Sequence, residues 1–237
     1  MSWKIGKPKD PEIDALFKNA LGSAVKKGIL MFCSSGDSGD LEYGDSYPCA
    51  LYTDKIFKIG AATALGKPRT ETPRPQLLDY ILPGHEVLER KPKGVKSDSH
   101  TGSSVATALA AGLAAMILHC VKVGAIYTHW KDVAESSKDS VNITVKNFMA
   151  SRRNEEAVRH MRVAFKRFNS DDSHNQKYIE VRRLLDDPNI FNRWTSLSVT
   201  DQMIAIAQIG QEFVDARPKV GQDSMGSRSN SRVVLHE

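Results

Sequence analysis

The segment His100-Thr101-Gly102-Ser103-Ser104-Val105-Ala106-Thr107-Ala108-Leu109-Ala110-Ala111-Gly112-Leu113-Ala114-Ala115-Met116-Ile117-Leu118 reads as a tight Gly/Ser turn that runs into a helix with almost no polar face. A helix that is apolar all round belongs in a core. The run from Val105 to Leu118, 14 residues, is too short to span a bilayer and fits a buried helix. Ser104 then falls in the first turn, where free backbone N–H groups and the positive end of the dipole favour anions. Serine is also a preferred helix cap, so the opening has a purely structural explanation as well.

Around this helix the chain alternates strands and helices. Asp10-Pro11-Glu12 is a helix start, with a capping Asp, Pro at the first position and then an acid. Ile13, Phe17, Ala20, Leu21 and Ala24 follow at helical spacing, Lys26-Lys27 closes the last turn and Gly28 stops it. Ile29–Cys33 is a short apolar run and predicts a buried strand; Ile56–Ala61 and Leu77–Leu82 are further strands, separated by the Pro-rich loop 66–75. The fold class is therefore α/β with a parallel sheet. From Val141 to Leu185 the chain turns helical and basic. Val158, Met161, Phe165 and Phe168 share one face, among Arg152, Arg153, Arg159, Arg162, Lys166 and Arg167. We read this as a helix that packs its apolar stripe and solvates its arginines. A nucleic-acid role is disfavoured, because no aromatic or glycine interleaving supports it. Thr200–Asp215 predicts one more amphipathic helix, and 217–237 is a polar tail expected to be disordered.

Composition narrows the class further. The chain has 237 residues, 41% hydrophobic and 26% charged, with a net charge of +5, which suits one soluble domain with an extension. Cys33, Cys49 and Cys120 suggest neither a disulfide framework nor a metal-ligand spacing. The start Met-Ser-Trp-Lys-Ile-Gly-Lys-Pro shows no hydrophobic leader. A reducing, cytoplasmic setting is the expectation.

The residue order adds a resemblance. Gly102-Ser103-Ser104-Val105-Ala106-Thr107, followed by Ala111-Gly112-Leu113-Ala114-Ala115, resembles the nucleophile segment of subtilisin-like serine peptidases. It departs from that pattern at Ala108 and Leu109, where a Pro and a His often stand. Gly28–Gly39 resembles the family strand ending in Ala-Ala-Gly-Asn-x-Gly. Tyr47-Pro48-Cys49-Ala50 with Ile56–Ala61, and Leu82-Pro83-Gly84, match further family segments in register, and Met1-Ser2-Trp3 resembles the end of the strand before them. Phe32-Cys33 and the C-terminal region resemble fungal intracellular members. The resemblance implies a subtilisin-like parallel sheet with flanking helices, lacking the N-terminal part of the fold. Residues 1–185 would form the C-terminal portion of the catalytic domain, 186–216 a helical extension and 217–237 the tail.

The family cleaves peptide bonds with an Asp, a His and a Ser in that chain order. The resemblance implies Ser104 as nucleophile, with its own N–H as one oxyanion donor. The family's second donor, an Asn side chain, corresponds to Asp37, which departs from the pattern because an ionised carboxylate donates no hydrogen bond. Ser34, Ser35 and Gly36 would line the pocket for the substrate residue before the cut, and Ser2 and Trp3 an extended substrate strand. A polypeptide is the implied substrate, with no cofactor and no metal. The family's Asp and His segments lie upstream of the strand that Met1-Ser2-Trp3 resembles. Asp37-Ser38-Gly39 spells the first of these motifs but in the oxyanion register, and the loop histidines His85 and His100 carry no base motif. Gly36-Asp37-Ser38-Gly39 also echoes the chymotrypsin-type motif, which needs an all-β fold. Two other readings remain: a non-catalytic pseudo-peptidase that holds a peptide, and a basic interaction module over 152–167.

Overall fold

The computed structural model describes residues 1, 5–37, 46–70, 75–89, 91–93, 95–135, 154–168, 177–181 and 197–214. Strand β1 (Ile5–Gly6) leads into helix α1 (Pro11–Lys26), then β2 (Met31–Ser34), β3 (Ser46–Tyr47), β4 (Ile56–Ala62), β5 (Tyr80–Pro83), β6 (Val87–Leu88) and β7 (Ser99–His100). Helices α2 (Ser103–Glu135), α3 (Asn154–Lys166) and α4 (Val199–Val214) complete the order. Asp10 caps α1 as its sequence predicts, accepting the Glu12 N–H at 2.8 Å.

The central sheet is parallel, in the order β2-β4-β5. It is extended beyond β5 by a parallel bridge between Ile81 and Tyr178. On the free side of β2, the Met1 amino group donates to Phe32 O and Met1 O accepts the Ser34 N–H at 3.3 Å. Alternation along each strand sends successive side chains to opposite faces. Phe32, Phe57, Ile59, Ala61, Tyr80 and Leu82 join the main core with α2, α3 and α4. Met31, Cys33 and Ile56 pack with Leu21 of α1 on the other face. Both faces are covered, which is why the strands read as continuous apolar runs instead of alternating ones. The expected third strand starts later than its sequence suggests: Pro75–Leu77 forms a 3₁₀ turn and the strand begins at Tyr80.

An aromatic cluster locks α3 to the sheet. The Phe32 and Phe57 rings stack at 4.9 Å between centroids, and Tyr80 meets Phe165 edge-on at 5.1 Å. Val158, Met161, Phe165 and Phe168 are all buried. Arg162 is not simply solvated: it donates to Asp79 Oδ1 at 2.7 Å and lies over the Phe57 ring at 5.0 Å. Arg152, Arg153 and the tail 217–237 lie outside the described residues, as does 186–196 of the expected extension.

Two expectations are corrected. Helix α2 is 33 residues long, and its stretch Ser103–Tyr127 is long and apolar enough to cross a membrane by length and composition. Its packing, not its length, places it in the core. It rests on β2, β4, β5 and α4, with Ala106, Ala110, Leu113, Ala114, Ile117 and Val121 buried. Among the described residues the helix is not enclosed all round: Leu109, Leu118, Ile126 and Trp130 are exposed. The second correction concerns the cysteines. Cys33 and Cys49 form a disulfide with a Cα–Cα separation of 6.0 Å. Sequence separation alone did not signal it; the return of the chain to the end of β2 brings the two together. Cys120 is free and buried, and burial pushes its thiol pKa up.

Candidate active site

The C-terminal ends of β2, β4 and β5 converge on the start of α2, and the connection is made through glycines. Gly84 follows β5; its N–H donates to Ala62 O at 2.9 Å and its carbonyl accepts the Gly102 N–H at 2.8 Å. A Cβ at Gly84 would lie 2.7 Å from Ala61 Cβ and 2.8 Å from Gly102 O. Only glycine lets these backbones approach so closely. Gly102 has φ +144°, a left-handed conformation that side chains rarely adopt. Its carbonyl accepts from the N–H groups of Val105 and Ala106 at 3.1 and 3.3 Å, which makes it the cap residue and puts Ser103 and Ser104 at the first two helical positions.

The two serines face different surroundings. Ser103 is fully buried. Its hydroxyl lies 2.7 Å from Ser34 Oγ, and its carbonyl accepts the Thr107 hydroxyl at 2.7 Å. Ser34 Oγ also accepts the Gly36 N–H at 3.2 Å. Ser104 is half-buried, and among the described residues neither its N–H nor its hydroxyl has a hydrogen-bond partner. At Ser104 a free N–H at a helix N-terminus, the type of donor that can meet an oxyanion, lies beside a free hydroxyl, which as a nucleophile would require an adjacent base.

Asp37 occupies the other side of the helix start. Its carboxylate accepts the Ser103 N–H with both oxygens, at 2.9 and 3.1 Å, and Arg69 Nη1 stands 3.9 Å from Oδ1. A Cβ on Gly102 would come within 3.0 Å of Asp37 Oδ2 and 3.3 Å of Ser104 Oγ, so the carboxylate and the serine hydroxyl flank the same glycine. Asp37 thus acts here as an acceptor that satisfies one orphan N–H of α2, not as a donor aimed outward. The charge also complements the helix dipole.

Of the residues expected at the site, Ser34, Ser35, Gly36, Asp37 and Ser104 are brought together at this one edge; Ser2 and Trp3 lie outside the described residues. Ser35 is buried, with its N–H donating to Ile59 O at 2.9 Å. The loop histidines are elsewhere engaged or exposed. His100 sits in β7 with Nε2 3.3 Å from Glu89 Oε2, and His85 is exposed. Ser103 was missed as a participant because its buried hydroxyl pairs with a residue 69 positions away, which no local pattern signals. Arg69 carried no sequence signal. Among the described residues, no group of three or more His, Cys, Asp or Glu side chains is placed to hold a metal ion.

No family model matches the chain. It is similar to a major intracellular serine protease of Bacillus subtilis, with 30% identity over 124 residues, covering 49% of this chain and 36% of that protein. The chain therefore spans about a third of the length of this curated relative. Among solved structures it is similar to the self-cleaved protease domain of PatA, with 17% identity and a TM-score of 0.43, covering 73% of this chain and 52% of that one. It is also similar to the prenylagaramide maturation protease PagA, with 15% identity and a TM-score of 0.44, covering 78% and 58%.

Proposed function

We propose that this chain carries the nucleophile half of a subtilisin-like serine endopeptidase acting on polypeptides. The observation that carries the reading is Ser104, whose hydroxyl and N–H are both unpartnered at the first turn of α2. The similarity to an intracellular serine protease over 124 residues supports it. In this reading Ser104 Oγ attacks the scissile carbonyl, and the Ser104 N–H, reinforced by the helix dipole, stabilises the oxyanion. Ser34, Ser35 and Gly36 line the pocket for the residue before the cut, and Ser2 and Trp3 pair with the extended substrate. Asp37 contributes by holding the helix start, because its carboxylate repels a neighbouring oxyanion instead of binding it. The imidazole that takes the serine proton, and the carboxylate that orients it, come from the part of a longer protein that this chain does not match. No cofactor enters the reaction, and the setting is cytoplasmic.

The test is labelling with a serine-directed phosphonate, applied to the protein captured from its source cells with an antibody to the tail 221–237. Label mapped to Ser104, on a polypeptide larger than 26.2 kDa, is the expected result. Labelling elsewhere, or labelling that survives Ser104→Ala, would overturn the assignment.

The acceptor role of Asp37 at Ser103 favours a second reading, a peptide-binding pseudo-peptidase. Under that reading the captured protein runs at 26.2 kDa, binds extended peptides and leaves them intact.

A further inference from the structure

We propose that the Cys33–Cys49 disulfide is a redox-responsive brace that controls how firmly the Ser34–Asp37 segment holds the start of α2. As a control of structure this stands on the disulfide and its contacts; as a control of activity it rests on the reading of Ser104 as nucleophile.

The bond closes the loop that contains every described residue holding the first turn of α2 from the β2 side. Cys33 is the third residue of β2, in register with Lys58 of β4. The next four residues supply the Ser34 hydroxyl for Ser103, the Gly36 N–H for Ser34 and the Asp37 carboxylate for the Ser103 N–H. Cys49 returns the chain to the same point, its Sγ 3.3 Å from Ser34 O. While the disulfide is intact this sulfur has no hydrogen to share. As a thiol it becomes a weak donor aimed at the Ser34 carbonyl, so reduction changes the bonding of the residue whose hydroxyl meets Ser103.

Both sulfurs are buried, with Cys33 0% and Cys49 2% exposed, so a reductant reaches them only when the Cys49 segment opens. That segment is tied by a two-residue ladder, β1 to β3, whose β1 residues are exposed. It is also held by the Tyr47 ring stacked on Phe17. The ladder is short and exposed along β1, which lowers the cost of opening it, against the buried Tyr47 ring and its hydroxyl bond to Asp14 Oδ1 at 2.7 Å. The chemistry balances with a dithiol as co-reactant. One reductant thiolate attacks a cystine sulfur to give a mixed disulfide and a protein thiolate; the second reductant thiol then displaces the other protein sulfur. The reductant leaves as its cyclic disulfide, and Cys33 and Cys49 each gain one electron and one proton.

The experiment uses the full chain prepared without reductant and then treated with dithiothreitol. Alkylation after a denaturing quench is expected to count one thiol, Cys120, before treatment and three after it. Amide exchange over 34–37 and at Ser103 and Val105, whose N–H groups are bonded to Asp37 and Gly102 O, is expected to quicken on reduction, by up to roughly 100-fold, the loop-closure contribution for a loop of this length. Cys49→Ala is expected to exchange at the fast rate with or without dithiothreitol. Three thiols before treatment, or unchanged exchange at Ser103 and Val105 on reduction, would overturn the proposal. Phosphonate labelling on the captured protein is expected to slow after reduction. Labelling absent from both forms counts against the nucleophile reading, while exchange still decides the redox coupling.

Discussion

Replacing Gly84 by alanine tests whether close backbone approach positions the site. The added Cβ would lie 2.7 Å from Ala61 Cβ, 2.8 Å from Gly102 O and 3.2 Å from Ala106 Cβ, against 3.4–4 Å for ordinary contact. Neither Ala61 nor the Gly102 carbonyl can move aside by changing rotamer. Strand β4 and the start of α2 must instead separate by roughly 0.6 Å, an overpacking cost of about 1–3 kcal/mol. The Gly102 N–H to Gly84 O bond at 2.8 Å spans the same gap, and weakening it adds about 0.5–1.5 kcal/mol. The expected loss is therefore about 1.5–4.5 kcal/mol. Urea denaturation of the wild type and the variant, with an unchanged m-value, reads this as a lower midpoint. The double variant Gly84→Ala with Ala61→Gly removes one of the two severe contacts and should recover part of the loss. A loss below about 0.5 kcal/mol, the range of a neutral surface change, would refute the reasoning. It would mean that the two backbones have room that the geometry denies them.

Asp37→Ala should cost about 1 kcal/mol by leaving the Ser103 N–H without its acceptor, while Asp37→Asn, which keeps an acceptor oxygen, should cost less. Equal losses in the two variants by thermal melt would show that charge, not acceptance, matters there. His160 is held below its ordinary pKa, first by burial and then by the neighbouring Arg159 charge. A depressed folded value means that the unfolded chain binds the proton more readily. His160 therefore contributes stability that is full above about pH 6.5 and is lost as pH falls through its lowered folded value. His160→Gln should flatten that part of a stability profile measured between pH 7 and pH 5, and an unchanged slope would exclude the burial argument.

Much of the frame was legible from local chemistry. Asp10-Pro11 announced α1 because capping is a matter of adjacent residues, and the apolar runs at Met31 and Ile56 announced buried parallel strands because neither face meets water. The 3₁₀ turn before Tyr80 was not legible, since the leucines of Gln76-Leu77-Leu78 do not say where pairing begins. Nor was the true extent of α2. Past Leu118 its sequence mixes His119, Lys122 and Trp130 with apolar residues, and packing against α4 continues what composition leaves open. At the site, Gly102-Ser103-Ser104 was readable as a turn entering a helix. The Ser34–Ser103 hydroxyl pair and the Cys33–Cys49 bond were not readable, because both join positions that only the completed sheet brings together.

The Asp37 link to Ser103 bears on the order in which the chain assembles. An ordinary cap comes from the residue beside the helix, so the first turn can close as soon as the helix nucleates. Here the acceptor for that turn is 66 residues upstream, on a segment placed only after β2 has found β4. The loop-closure entropy of that separation must be met before the contact returns anything. Helix α2 should therefore nucleate in its apolar middle and settle its first turn last, so that Ser104 reaches its final setting only in a chain whose sheet is already built.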